Sequence, residues 1–286
     1  MLIKMQVGEQ DRGELQVNVT DSDNAPIRDA RVTISEPETA INPNSPIERL
    51  ETDVSGQTQI VDLNTPPLEY SLNENNENMP YANYNIQIEV PGYETENIRN
   101  VEILPDSLSL QNVRMRKREG EQVENIDIDP HTLYAEYPEK IPEDEIKDVN
   151  EPGEIVLSRV VIPEYVVVHN GTPSSNARDY YVTYKDYIKN VASSEIYATW
   201  PRATIEANVL AIMSFTLNRV YTEWYRNKGY DFTITSSTAY DQKWIYGRNI
   251  FQSIDEVVDE IFDQYLSRPD VRQPILTQYC DGKRVT

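Results

Sequence analysis

The chain has 286 residues, 38% of them hydrophobic, enough for two domains that each bury a core. Its 48 Asp and Glu against 26 Lys and Arg leave a formal net charge of −22, a surface that repels phosphate backbones and anionic lipid and so excludes general nucleic-acid binding. No run of about 18 apolar residues is present to insert into a membrane, and a single cysteine, Cys280, excludes a disulfide framework and a multi-cysteine zinc site.

The opening "MLIKMQVGEQ" lacks an apolar core of the kind a secretory signal needs, so synthesis in a reducing cytosol is expected. His131 and His169 are the only histidines, so no His/Cys metal centre and no cofactor is expected. From Gly13 to about Met115 the pattern has period two. Leu15, Val17 and Val19 share one face, Val32 and Ile34 another, and Tyr84, Ile86, Ile88 and Val90 a third. Turn residues near Gly56, Pro66 and Gly92 separate these runs, which predicts an antiparallel all-β sandwich over 1–118.

Residues 119–153 change character. From 119 to 154 there are 13 acidic side chains and two lysines, with Pro130, Pro138, Pro142 and Pro152 among them. Such a stretch buries too little apolar surface to offset the entropy of ordering, and it reads as an extended acidic linker. The basic knot "RMRKREG" just before it reads as a solvated strand end.

After the linker the period lengthens, and 154–286 read as an α+β domain. "EIVLSRVVIPEYVVVHNGTP" gives one or two strands ending at an Asn170-Gly171 turn, where His169 is a strand-end residue. Tyr184, Tyr187, Ile188 and Val191 fall on one helical face. A longer helix follows Pro201, with Ile205, Val209, Ile212, Met213, Thr216, Val220 and Trp224 at three- and four-residue steps and Gly229 as its stop. "YDFTITSSTAYDQKWIYGRN" reads as strand and loop, "SIDEVVDEIFDQYL" as a third helix, and "PILTQYCDGKRVT" as the start of a strand.

By residue type alone, Glu195 at a helix end is a solvated charge, as are Glu223 and Asp241. Glu206 reads as a dipole partner in the first turn of the long helix. Tyr187 and Trp224 read as core, and Cys280 as a small buried hydrophobe. Tyr240, Gln242 and Tyr246 lie in a loop, where binding and packing are both open readings.

Several linked motifs carry a resemblance. "GELQVNVTDSDNAPIRDARVTI", "LETDVSGQTQI", "YNIQIEVPGYE" and "VEILP" resemble the carboxypeptidase-regulatory, transthyretin-like domains. An aromatic-rich helix, "VASSEI", "ATWP", the Ala-rich "IEANVLAIMSF" and "TITSSTAYDQKWIYG" resemble the SpoIID/LytB (stage II sporulation protein D) domain family over about 155–286. The order of these pieces is similar to clostridial spore cortex-lytic enzymes of the SleC type. Asn208, Met213 and Phe215 depart from the Gln, Arg and Tyr of many members, and the family continues beyond "CDGKRVT", so a C-terminally incomplete catalytic domain is expected.

The resemblance implies a peptidoglycan lytic transglycosylase of spore germination, with Glu195 as its acid. Trp200, Tyr240, Gln242 and Tyr246 are the expected substrate contacts. It implies a transthyretin-like pro-region, activation of a zymogen by a germination protease between about residues 116 and 153, and deposition in the spore cortex or coat from the mother cell. The chemistry asks that Glu195 be protonated, held against an apolar wall that Ile196, Tyr197 and Trp200 form if the chain reverses at Ala198-Thr199. An N-acetylmuramoyl-L-alanine amidase and a non-catalytic wall-binding or spore-coat protein remain the alternatives.

Overall fold

Eight strands occupy the first half of the chain in the computed structural model, which describes residues 10–38, 44–118, 123–136, 138 and 159–277. They are β1 (Asp11–Thr20), β2 (Arg31–Ser35), β3 (Pro46–Glu51), β4 (Val61–Thr65), β5 (Ala82–Glu89), β6 (Thr95–Ile103), β7 (Leu108–Arg114) and β8 (Val123–Asp127), with one short helix, α1 (Glu69–Leu72). The second half supplies β9 (Tyr165–His169), β10 (Asp179–Thr183), α2 (Tyr184–Glu195), α3 (Arg202–Thr222), β11 (Ile234–Thr235), β12 (Ile250–Phe251) and α4 (Gln252–Ile261). No described helix is long and apolar enough to cross a membrane.

The chain divides into two units. The first holds Met1–Pro130 with two pieces of the second half, Tyr197–Trp200 and Tyr246–Ser253; the second holds the remainder. The first unit is all-β apart from the single turn of α1. One sheet has the order β12-β7-β1-β4 and the other β3-β2-β5-β6-β8. The expected alternation is present: Leu15, Val17, Val19, Val32, Ile34, Ile86 and Ile88 are all at most 1% exposed. Each such side chain contributes about 1.5–3 kcal/mol by leaving water. The Tyr84 hydroxyl donates to the Asn64 carbonyl at 2.7 Å and so joins the two sheets.

The sheets are mixed rather than purely antiparallel. β1 pairs parallel with β7, and β6 pairs parallel with β8. β8 lies inside the stretch that composition reads as linker. Glu124 and Ile126 are half-buried on one face while Val123, Asn125 and Asp127 stay in water on the other, as in an edge strand. The remaining linker positions 119–122, 137 and 139–153 lie outside the described residues, as do Cys280 and the rest of the final strand expected from Pro274 beyond Thr277. In its described part, Pro274–Thr277, that strand is replaced by an isolated bridge of Pro274 with Ser267 and by bonds with α3, from Asn218 and to Ala211.

The piece 246–253 belongs to the β unit by its bonding. β12 adds antiparallel to β7. Arg248 and Glu102 form an ion pair at 2.6 Å with side chains 0% and 1% exposed. Asn249 Nδ2 donates to the Glu102 carbonyl at 2.8 Å, and Gln111 Nε2 to the Gly247 carbonyl at 3.0 Å. Gly247 has φ +78°, and a Cβ there would sit 2.5 Å from Ile126 of β8, so only glycine fits.

The second unit combines helices and strands. β9 runs antiparallel to β10 and parallel to β11. Tyr180 and Tyr181 sit in β10, where Tyr181 is 79% exposed. Thr183 caps α2 by accepting from the Asp186 N–H at 3.2 Å. α3 is buried on every side from Ile212 to Arg219, so Ser214, Thr216, Asn218 and Arg219 lie inside with the apolar residues rather than on a solvent stripe. It stops at Glu223, in the left-handed conformation at φ 48°, six residues before the expected Gly229. Gly229, at φ +85°, ends the short 3-10 turn Arg226–Lys228 instead.

Candidate functional site

Glu195 is the last residue of α2 and is half-buried. Its Oε1 accepts the backbone N–H of Lys243 at 2.7 Å. Two further ties hold the same turn of α2 to the same loop. Asn190 clamps Ile245, donating through Nδ2 to its carbonyl at 2.8 Å and accepting its N–H at 2.9 Å. The Tyr187 hydroxyl donates to Gln242 Oε1 at 3.0 Å. Burial, with the negative charges of Asp241 and Glu195, pushes the Tyr187 phenol well above its usual range, so it remains a donor. The C-terminal end of α2 is electrostatically unfavourable for an anion, whereas the Lys243 N–H favours one. Glu195 is thus a fastened carboxylate, held at a fixed place.

The far side of this turn is capped by residues from the stretch expected as linker. The Thr132 N–H donates to the Ser194 carbonyl at 3.0 Å, and His131 Nε2 lies 3.3 Å from the Ile196 carbonyl. His131 is fully buried. Helix ends leave carbonyls without intrahelical partners, and Thr132 and His131 meet two of them.

The expected substrate contacts divide between the units. Glu195, Tyr240 and Gln242 belong to the second; Trp200 and Tyr246 belong to the first. Within the second unit, the loop carrying Tyr240 and Gln242 meets the end of α2 through the bonds above. Gln242 is not an open loop side chain but a buried tie, 1% exposed. Its Oε1 accepts from Tyr187 and from Thr216 at 2.8 Å, while Nε2 donates to the Ile212 carbonyl at 3.0 Å. Tyr240 is half-buried. In the first unit the chain reverses at Ala198-Thr199, with the Trp200 N–H donating to the Tyr197 carbonyl at 3.1 Å. The Trp200 ring meets Tyr197 edge-on, and its indole N–H donates to the Ser71 carbonyl at 3.0 Å. Tyr246 is half-buried.

Asp241, expected on the surface, is buried. Its Oδ1 accepts from Arg219 Nε at 2.8 Å, and its Oδ2 accepts from the Tyr225 hydroxyl at 2.6 Å and from the Thr235 N–H and hydroxyl at 2.9 and 2.7 Å. Arg219 is 1% exposed and framed by the rings of Phe215, Trp224 and Tyr225. The pair fixes the start of the Tyr240–Gln242 loop against α3. Trp224 is only partly buried, under Lys228. Glu206 pairs with Arg202 at 2.8 Å, an i,i+4 contact.

His169, at the end of β9, lies between an acid and a hydroxyl. Nδ1 is 2.7 Å from Asp179 Oδ1, Nε2 is 3.2 Å from Ser175 Oγ, and the ring stacks on Phe232. The Ser175 hydroxyl donates to the Thr172 carbonyl at 2.7 Å. Its proton is committed to the loop rather than to the imidazole, so the set fastens the β9–β10 connection instead of activating a nucleophile.

No protein-family model matches the chain, and no curated protein matches it. Solved structures resemble parts of it at a distance. A catechol 1,2-dioxygenase from Acinetobacter radioresistens gives a TM-score of 0.28 at 14% identity, covering 41% of this chain and 58% of that one. GBS52, the minor pilin of Streptococcus agalactiae, gives 0.27 at 17% identity, covering 40% and 48%. The Bacillus anthracis TIE protein gives 0.24 at 13%, covering 37% and 17%. The chain spans little more than half the length of the dioxygenases it matches. Likenesses this weak decide neither family nor function.

Proposed function

We propose that this chain is a peptidoglycan lytic transglycosylase of the SpoIID/LytB type acting on spore cortex, with Glu195 as its single acid and base. The motif resemblance supplies the reaction. The observation that carries it is the half-buried Glu195, fastened at the end of α2 to the loop that also holds Tyr240. A catalytic acid has to be held still against the substrate, and a carboxylate bonded to a backbone N–H is so held.

The reaction needs one carboxyl group. The Glu195 proton moves to the glycosidic oxygen as the bond from the muramic acid anomeric carbon to that oxygen breaks. The muramic acid 6-hydroxyl then attacks the same carbon, closing a 1,6-anhydro ring, and its proton returns to Glu195. No water is consumed. Tyr240, in the same unit as Glu195, is proposed to flank the glycan, while Gln242 holds the loop from behind.

The test is to incubate purified cortex with the protein and separate the products. Anhydro-muramic ends support this reading. New free amines from the peptide stem point to an amidase, and binding without cleavage points to a wall-binding or spore-coat protein; either result overturns it. We further propose that residues 1–118 are a transthyretin-like pro-region and that a germination protease activates the enzyme between about residues 116 and 153. Limited proteolysis is expected to cut first in that window and outside β8, whose backbone is bonded to β6. First cuts elsewhere in the chain contradict the zymogen proposal.

A further inference from the structure

β6 carries a carboxylate where its alternation calls for hydrocarbon. Glu96 shares the inward face with Ile98, each 1% exposed. Both Glu96 oxygens are buried, with no hydrogen-bond partner among the described residues. Two more carboxylates reach the same place. Glu94, just before β6, is 7% exposed, and Glu124 lies opposite Glu96 in the parallel register of β8. One oxygen from each of the three lies within 4.8 Å of the others. Arg116 pairs with Glu94 at 3.4 Å and also with Glu124. One guanidinium against three carboxylates leaves two negative charges uncompensated when all are ionised.

We propose that Glu94, Glu96 and Glu124 form a site for a divalent cation of the calcium class, which fastens β8 to β6. A buried carboxylate with no donor is costly unless a proton or a cation neutralises it. The donor set is all carboxylate oxygen, which suits a hard cation rather than zinc or copper. Calcium binds oxygens at about 2.3–2.6 Å, so ligands up to about 5 Å apart fit around one ion. Arg116, whose side chain is 46% exposed, has room to swing out into water as the ion enters.

The proton is the competitor. Burial raises Glu96 to about 7, against the opposing pull of Arg116 and with further help from Glu94. The charged groups facing it are Glu94 before β6, Arg116 after β7 and Glu124 on β8. The folded carboxyl therefore holds its proton above the unfolded value of 4.5. Without an ion, this contribution to stability is fully present below about 4.5 and is lost as pH rises through about 7.

The full chain titrated with calcium chloride, followed by calorimetry and thermal unfolding, tests this. Saturable binding with a raised unfolding temperature is expected. Glu96→Gln keeps the shape and removes the buried charge, so it is expected to fold and to lose the calcium response. Glu124→Gln, at the half-buried rim, is expected to bind at least tenfold more weakly. No saturable response of the wild type overturns the site. So does an undiminished response in Glu96→Gln, which places the ion elsewhere on this acidic chain. Magnesium chloride acting equally at the same concentration overturns the assignment to the calcium class.

Discussion

Glu195→Gln is expected to lower cortex cleavage by about 10²–10⁴-fold while leaving the unfolding temperature unchanged. Transfer of a proton by a positioned side chain contributes a factor of that order. Gln is isosteric, and its carbonyl oxygen still accepts the Lys243 N–H that Oε1 accepts in the native chain. The tie between α2 and the loop therefore survives, and only the acid is removed. Glu206→Gln serves as the control, since that side chain pairs with Arg202 on the outside of α3. Cleavage in Glu195→Gln within a few-fold of wild type contradicts the assignment.

Asp241→Asn is expected to destabilise the second unit by about 3–5 kcal/mol, because it leaves Arg219 buried without a counter-charge. The native carboxylate answers four donors on two oxygens, and the amide that replaces it turns one acceptor into a donor facing donors. For a unit of this size the unfolding midpoint falls by roughly 10 °C. Adding Arg219→Met is expected to cost much less than a second full penalty, since it removes the charge stranded by the first change. A loss below about 1 kcal/mol for Asp241→Asn shows that the pair is not the anchor its burial implies.

β1, β2 and β5 were legible because one face of each is buried, and burial on one face writes a period of two into the sequence. β8 alternates in burial but not in hydrophobicity, with Val123 on the exposed face and Glu124 on the half-buried one, so its sequence carries no such signal. An edge strand needs little burial, and local composition does not record a partner 28 positions away, the spacing of Glu96 and Glu124. β10 is short, and its inner face offers only Tyr180 and Val182, both half-buried, too few to read as a period. The end of α3 was misplaced because a glutamate, not a glycine, takes the left-handed position.

For the site, the position of Glu195 at the end of α2 followed from helical spacing and motif order. The partners around it did not. Asn190, Gln242 and Asp241 are polar residues that tertiary bonding draws inside, and single polar residues carry no periodic signal. Gln242 looked like a loop side chain in sequence and is a loop side chain in structure, but the loop is pinned under α2 and α3. Glu94 and Glu96 were invisible for the opposite reason: they obey the strand period, with charge at the positions where hydrocarbon is the rule.

The most direct measurement is cleavage of purified cortex in water enriched in oxygen-18, with the released glycan ends weighed by mass spectrometry. If the muramic acid 6-hydroxyl is the nucleophile, the new ends carry no label and are about one water lighter than reducing ends. Uptake of one labelled oxygen per cut makes water the nucleophile, and the account of Glu195 as the sole carboxyl of a transglycosylase is then contradicted.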